Sequence, residues 1–223
     1  MTGYVLLTIS LLVTVSAQIY VNSSYNKTKR IKNRAGITGA QAARKILDDN
    51  GLSNVNVEEV RGVLGDHYDP RTKTVRLSSD IYKNTSIASA SVAAHECGHA
   101  IQDKEGYFFL RLRHSLIPLV NFASYAGYLA ILIGIIASSL DIIWIGIILE
   151  IVILIFQLIT LPVEFNASRR ALVLLEKEKI LEKIEISTSK KMLTAAALTY
   201  VASVTATILE ILRLILAFGR NDN

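Results

Sequence analysis

Apolar positions along this chain fall into two kinds of run. Some are long and nearly unbroken; others are short, periodic and set in polar sequence. Residues 4–21 are uncharged and mostly apolar, just long enough to cross a bilayer. Residues 116–138 and 142–161 form two further runs of bilayer length, separated only by Ser139-Leu140-Asp141. A connection that short predicts an antiparallel transmembrane hairpin. Residues 192–218 make a fourth apolar segment, interrupted by Thr199, Thr205, Glu210 and Arg213. Glu150 lies within the third run; a Glu150–Arg213 pair clamping two helices, or a protonated Glu150, is the plain reading of these charges.

Between the first and second runs the pattern changes. Thr38-Gly39-Ala40-Gln41 has the form of a capping box, followed by Ala43, Ile46 and Leu47 at helical spacing and stopped by Asn50-Gly51. Val55, Val57 and Val60 come next. A hairpin-like piece follows over 66–77, with turn chemistry at Asp69-Pro70-Arg71-Thr72 and a β-prone stretch at 74–77. That stretch is a candidate edge for an extended substrate to pair with. Ser86 is placed to cap a helix running to about Lys104, before Gly106. Residues 164–191 are charged and helical in pattern, with Ala171, Leu172, Leu175, Ile180 and Ile184 apolar.

The composition agrees with membrane segments plus one small polar domain: 51% hydrophobic residues and a mean hydropathy of +0.39 across 223 residues. A net charge of +5 would suit a nucleic-acid binder, but the distribution of charge argues for topology instead. Of the 24 Lys and Arg residues, 22 fall in 22–115 and 164–191, which four spans place on one side. Those nearest the spans (Lys27, Lys29, Arg30, Lys32, Arg34, Arg111, Arg113, Arg169, Arg170, Lys190 and Lys191) assign that side to the cytoplasm of a multi-pass cell-membrane protein. No nucleic-acid partner is expected; the lipid bilayer is. Met1-Thr2-Gly3 carries no positive charge ahead of the first run, which favours an uncleaved anchor over a signal peptide, although Val15-Ser16-Ala17-Gln18 has the look of a cleavage site. Cys97 is the single cysteine, so no intramolecular disulfide forms.

The stretch with chemistry in it is Ala93-Ala94-His95-Glu96-Cys97-Gly98-His99-Ala100, an H-E-x-x-H pattern inside the helix predicted after Ser86. Four residues is just over one turn, so His95 and His99 share a face and two neutral imidazoles can hold one Zn²⁺. Glu96 is then positioned as general base. The pattern arises by chance at roughly one position in 10⁴ to 10⁵. Small and apolar neighbours argue against two histidines on a solvated face, and Cys97 points away as a packing residue. A catalytic zinc site takes three protein ligands and keeps one open position. His67, His114, Asp66 and downstream acids are all formally available; position selects Glu164, directly after the third run and beside Pro162. His114 reads as an interfacial residue at the start of a span. His67 suits either a substrate or oxyanion contact or a structural hydrogen bond.

Three segments carry a family resemblance: the hairpin at 66–78, the helix Val92-Ala93-Ala94-His95-Glu96-Cys97-Gly98-His99-Ala100-Ile101-Gln102, and Leu161-Pro162-Val163-Glu164-Phe165-Asn166-Ala167-Ser168. Together they resemble the YugP family of bacterial membrane zinc metallopeptidases, over nearly the whole chain. The layout is also similar to HtpX-type membrane gluzincins, in which a transmembrane hairpin separates the His pair from a Glu in an E-x-x-A-D motif. The resemblance implies His95 and His99 as zinc ligands, Glu96 as catalytic acid/base, Glu164 as third ligand and one catalytic Zn²⁺. Ser168 stands where the HtpX-type pattern has Asp. It can accept a hydrogen bond from a ligand His but supplies no carboxylate, so Asp66 and Asn166 are further candidates for orienting His95.

The expected fold is a mainly α membrane protein with about four transmembrane helices and a small α+β gluzincin-like cytoplasmic metallopeptidase domain. Its parts are an anchor over 1–21, a zinc-binding catalytic domain over 22–115, the hairpin over 116–162, a cytoplasmic helix carrying the third ligand over 163–191, and a last span over 192–218. The expected activity is zinc-dependent hydrolysis of peptide bonds in protein or peptide substrates at the membrane. If Glu164 binds the ion, the ion lies on the order of 10 Å from the inner membrane surface. The rivals are a zinc-binding membrane protein without peptidase activity and a transporter using Glu150.

Overall fold

The computed structural model describes residues 2–62 and 65–219. In chain order the elements are α1 (Thr2–Lys29), α2 (Gly39–Asp49), β1 (Asn56–Val60), β2 (His67–Asp69), β3 (Thr74–Ser78), α3 (Ser79–Lys83), α4 (Ile87–Lys104), α5 (Phe108–Ile136), α6 (Leu140–Lys177) and α7 (Lys183–Phe218). Packing divides the described residues into two units. One comprises residues 2–18, 111–162 and 198–219; the other comprises 19–62, 65–110 and 163–197.

The first unit is helical. α1, α5, α6 and α7 are each long and apolar enough to cross a membrane, and at most 22% of the apolar window of any one is buried. Side chains that apolar and that exposed are matched to lipid rather than water. Ile143, Ile147, Ile211 and Leu214 form a small buried cluster. Close approach of α5 and α6 depends on small residues: a Cβ on Gly146 would sit 2.5 Å from the Ile131 side chain. Arg213 donates to Glu210 from Nε at 2.8 Å. The expected Glu150–Arg213 clamp is therefore replaced by a pair three residues apart on α7, which needs no second helix to form.

The second unit is built on α4. The Thr38 hydroxyl accepts from Gln41 N and the Gln41 side chain from Thr38 N, completing the capping box of α2. α2 then buries Ala42, Ala43, Ile46 and Leu47 and ends at Asn50, with Gly51 at φ +65°. Ser86 caps α4 by accepting from Ser89 N at 3.0 Å. α4 is buried on most sides, because Ala88, Ala90, Ala93, Ala94 and Ala100 let its neighbours approach closely. Ser91 and Ser189 hydroxyls meet at 2.7 Å, tying α4 to α7.

The sheet has the order β1-β3-β2, with β3 parallel to β1 and antiparallel to β2. The hairpin expected over 66–77 is present as β2 and β3. β3 is however the central strand, with both edges paired, so residues 74–77 offer no edge to a substrate. Val75 and Leu77 are buried in the core, which explains why this most β-prone stretch occupies the centre. The free edges belong to β1 and β2.

The expected helix over 163–191 is not a separate element. No separate helix starts at 163: α6 runs through Pro162 to Lys177, and α7 begins at Lys183 and continues into the last apolar segment. Pro162 removes one backbone donor, but in an apolar helix the freed carbonyl can be re-satisfied locally and the helix continues. The short α3 has no sequence periodicity to announce it.

Candidate active site

α4 and α6 supply the site, each through two residues four apart. On α4, the imidazole centroids of His95 and His99 lie 4.8 Å apart with planes at 86°. On α6, Glu164 and Ser168 occupy consecutive turns. Gly98 lets the two helices meet, since a Cβ there would be 2.9 Å from the carbonyl oxygen of Ala167. Across this contact Glu164 Oε2 reaches 3.3 Å from His95 Nε2 and 3.8 Å from His99 Nε2. Glu164 and His99 are buried and His95 is partly so.

The donor set fits zinc. Two imidazole nitrogens and a carboxylate oxygen lie within 4.8 Å of one another. Tetrahedral bonds of about 2.0–2.1 Å give ligand-to-ligand separations of about 3.3–3.4 Å, close to the two distances to Glu164. The far side of each ring is engaged as well. His95 Nδ1 is 3.2 Å from Ser168 Oγ, and His99 Nδ1 is 2.9 Å from Gln102 Oε1. With both Nδ1 atoms occupied, both Nε2 atoms face the carboxylate, as a metal site requires.

Of the residues considered for orienting His95, Ser168 is the one whose hydroxyl meets its Nδ1. Asp66 Oδ1 instead accepts from Ser78 N at 2.7 Å and from the Ser78 hydroxyl at 3.0 Å, fastening the start of β2 to the end of β3. Asn166 accepts from Gln102 and Arg170. His67 is exposed at the end of β2 and donates from Nδ1 to Gly65 O at 2.7 Å. β2 is held against the metal helix by Tyr68, whose hydroxyl donates to Asp103 at 2.8 Å. Gln102 is not among the residues that the sequence singles out; its position three residues after His99, on the same helix face, is the signal that points to it.

Glu96 is buried beside His95, and burial pushes its carboxyl up to about 7. His95 opposes that rise, Glu164 and Asp66 add to it, and His67 opposes it. A neighbouring divalent cation would favour the carboxylate again. Cys97 faces away, with Sγ 3.6 Å from Ala43 O on α2 and its thiol held protonated by burial.

The family model described as "Putative neutral zinc metallopeptidase" matches residues 3–219. The chain belongs to that family. Within it, the Bacillus subtilis (strain 168) protein named "Putative membrane protease YugP" is 47% identical over 223 residues, covering 99% of each chain. The resemblance carried by three motifs in the sequence thus extends along the whole chain. No solved structure matches. The His-His-Glu cluster on α4 and α6 is compatible with the metal that the family's description names.

Proposed function

We propose that this chain is a membrane-embedded zinc endopeptidase that hydrolyses peptide bonds of membrane or membrane-proximal proteins at the cytoplasmic surface. The observation that carries the proposal is the convergence of His95, His99 and Glu164 next to the buried Glu96. One zinc ion held there would polarise the scissile carbonyl and lower the pKa of water toward about 7. Glu96 takes the proton of the attacking water on a carboxylate oxygen and delivers it to the nitrogen of the leaving amine. Ser168 and Gln102 hold the two imidazoles with Nε2 inward. His67, exposed at the start of β2, is assigned to contact with the substrate through its Nε2 edge, because Nδ1 is engaged by Gly65 O.

The positions of the apolar runs support the substrate class. Leu116 opens an apolar run seventeen residues after His99, and Glu164 comes three residues after Leu161 closes one. Membrane proteins, or segments presented at the bilayer, suit a site tethered at both ends in this way. The cytoplasmic orientation rests on the basic residues near the spans.

The test is the purified full chain in detergent, incubated with unfolded membrane-protein substrates with and without chelator. Glu96→Gln is expected to lower turnover by about 10² to 10⁴-fold while zinc stays bound. Zinc binding without any chelator-sensitive cleavage would favour a metal-binding membrane protein of another kind. Undiminished turnover by Glu96→Gln would remove Glu96 from the chemistry.

A further inference from the structure

Behind His99 a line of hydrogen bonds runs to the surface, and its two ends have fixed roles. The carbonyl of Val163 can only accept, and the guanidinium of Arg170 can only donate. Gln102 is fully buried, with one amide atom 2.9 Å from Val163 O. That atom must be Nε2, so Oε1 is the atom 2.9 Å from His99 Nδ1. From the other end, Arg170 Nε lies 2.7 Å from a side-chain atom of Asn166, which must be Oδ1. The same oxygen accepts from Gln102 Nε2 at 2.9 Å. Arg170 is itself held by Glu105, to which it donates at 3.0 and 2.6 Å. Every group between the two ends therefore has one possible role.

We propose that Gln102 is a positioning residue that fixes the tautomer of His99. Its carbonyl oxygen can only accept, so His99 carries its proton on Nδ1 and keeps the Nε2 lone pair on the Glu164 side. Asn166, Arg170 and Glu105 keep the Gln102 amide from turning over. His95 is held differently, because the Ser168 hydroxyl can either donate or accept and so fixes no tautomer by itself. The assignment rests on the reading of His95, His99 and Glu164 as metal ligands, and it adds to that reading a neutral amide in the place where a carboxylate often orients a ligand histidine.

Two measurements on the detergent-solubilised full chain test it. In the zinc-loaded unmodified protein labelled with ¹⁵N-histidine, His99 should show a protonated Nδ1 and a metal-bound Nε2. Zinc on Nδ1, or a proton on Nε2, would overturn the assignment without any substitution being made. Separately, zinc affinity is measured by competition with a chromophoric chelator for the unmodified chain and for Gln102→Met, which keeps the length and loses the acceptor. The expected loss is roughly 10- to 100-fold, with the melting temperature of the metal-free variant recorded alongside. Affinity within twofold of the unmodified chain overturns the role of Gln102 and leaves the metal site standing. Failure of the unmodified chain to bind zinc overturns the metal site and the assignment to Gln102 together.

Discussion

Glu96 and Glu164 are both buried acids of one site, and their surroundings suit them to different tasks. Glu164 lies against two imidazole nitrogens, at 3.3 and 3.8 Å, an arrangement that fits a cation shared by all three. Glu164→Ala should therefore lower zinc affinity by well over tenfold in chelator competition, and retention of full affinity would count against it as a ligand. Glu96 has no such convergence around it, and its raised proton affinity suits a group that must both take and give a proton near neutrality. His67 tests a third role. It is exposed and lies outside the ligand cluster, so His67→Ala should leave zinc affinity unchanged and raise KM with kcat little changed, the pattern of uniform substrate binding. A fall in kcat at unchanged KM would make it a transition-state contact instead.

At the scale of elements, the distance between α4 and α6 is set where Gly98 meets Ala167. Gly98→Ala gains helix propensity worth about 1 kcal/mol. The added methyl would overlap a backbone oxygen 2.9 Å away, and forcing such contacts apart costs about 1–3 kcal/mol. Separation of these helices also draws Glu164 away from the imidazoles. The variant should melt lower than the parent without metal and bind zinc more weakly; a higher melting temperature with unchanged affinity would show that the contact is slack. What could be read beforehand divides along the same line. The capping box at Thr38 and Gln41, the cap at Ser86 and the stop at Asn50-Gly51 are local, and they set the bounds of α2 and α4. The parallel pairing of β1 with β3 is not local, so the hairpin was visible but the central place of β3 was not. The change from apolar to charged sequence at 163 suggested a helix boundary, yet α6 continues through Pro162 because its freed carbonyl can be re-satisfied locally. The partner of Arg213 is local, Glu210 three residues earlier on α7, and its spacing could be read from the sequence. The hydrogen bonds behind His99 join Gln102 to residues more than sixty positions away, and only the α4–α6 contact brings them together.

For the whole molecule, the distribution of charge makes a prediction that the site residues do not. Near-membrane Lys and Arg residues fall at Lys27, Lys29, Arg111, Arg113, Arg169, Arg170, Lys190 and Lys191, whereas the turn between α5 and α6 carries no charge and the first turn of α6 carries only Asp141. Basic residues are retained on the cytoplasmic side, and the cost of moving several of them across a bilayer fixes the orientation. Cys97 makes this simple to test. It is the one thiol in the chain, it is buried, and burial keeps it protonated, so it should stay silent toward a maleimide without being replaced. Asp141→Cys and Lys183→Cys each place one exposed thiol, in the first turn of α6 and at the start of α7. In right-side-out membrane vesicles a membrane-impermeant maleimide should label Asp141→Cys at once and Lys183→Cys only after permeabilisation. Labelling in the opposite order would put the metal helix outside the cell, and the substrates would then have to be sought among proteins that reach the outer face of the membrane.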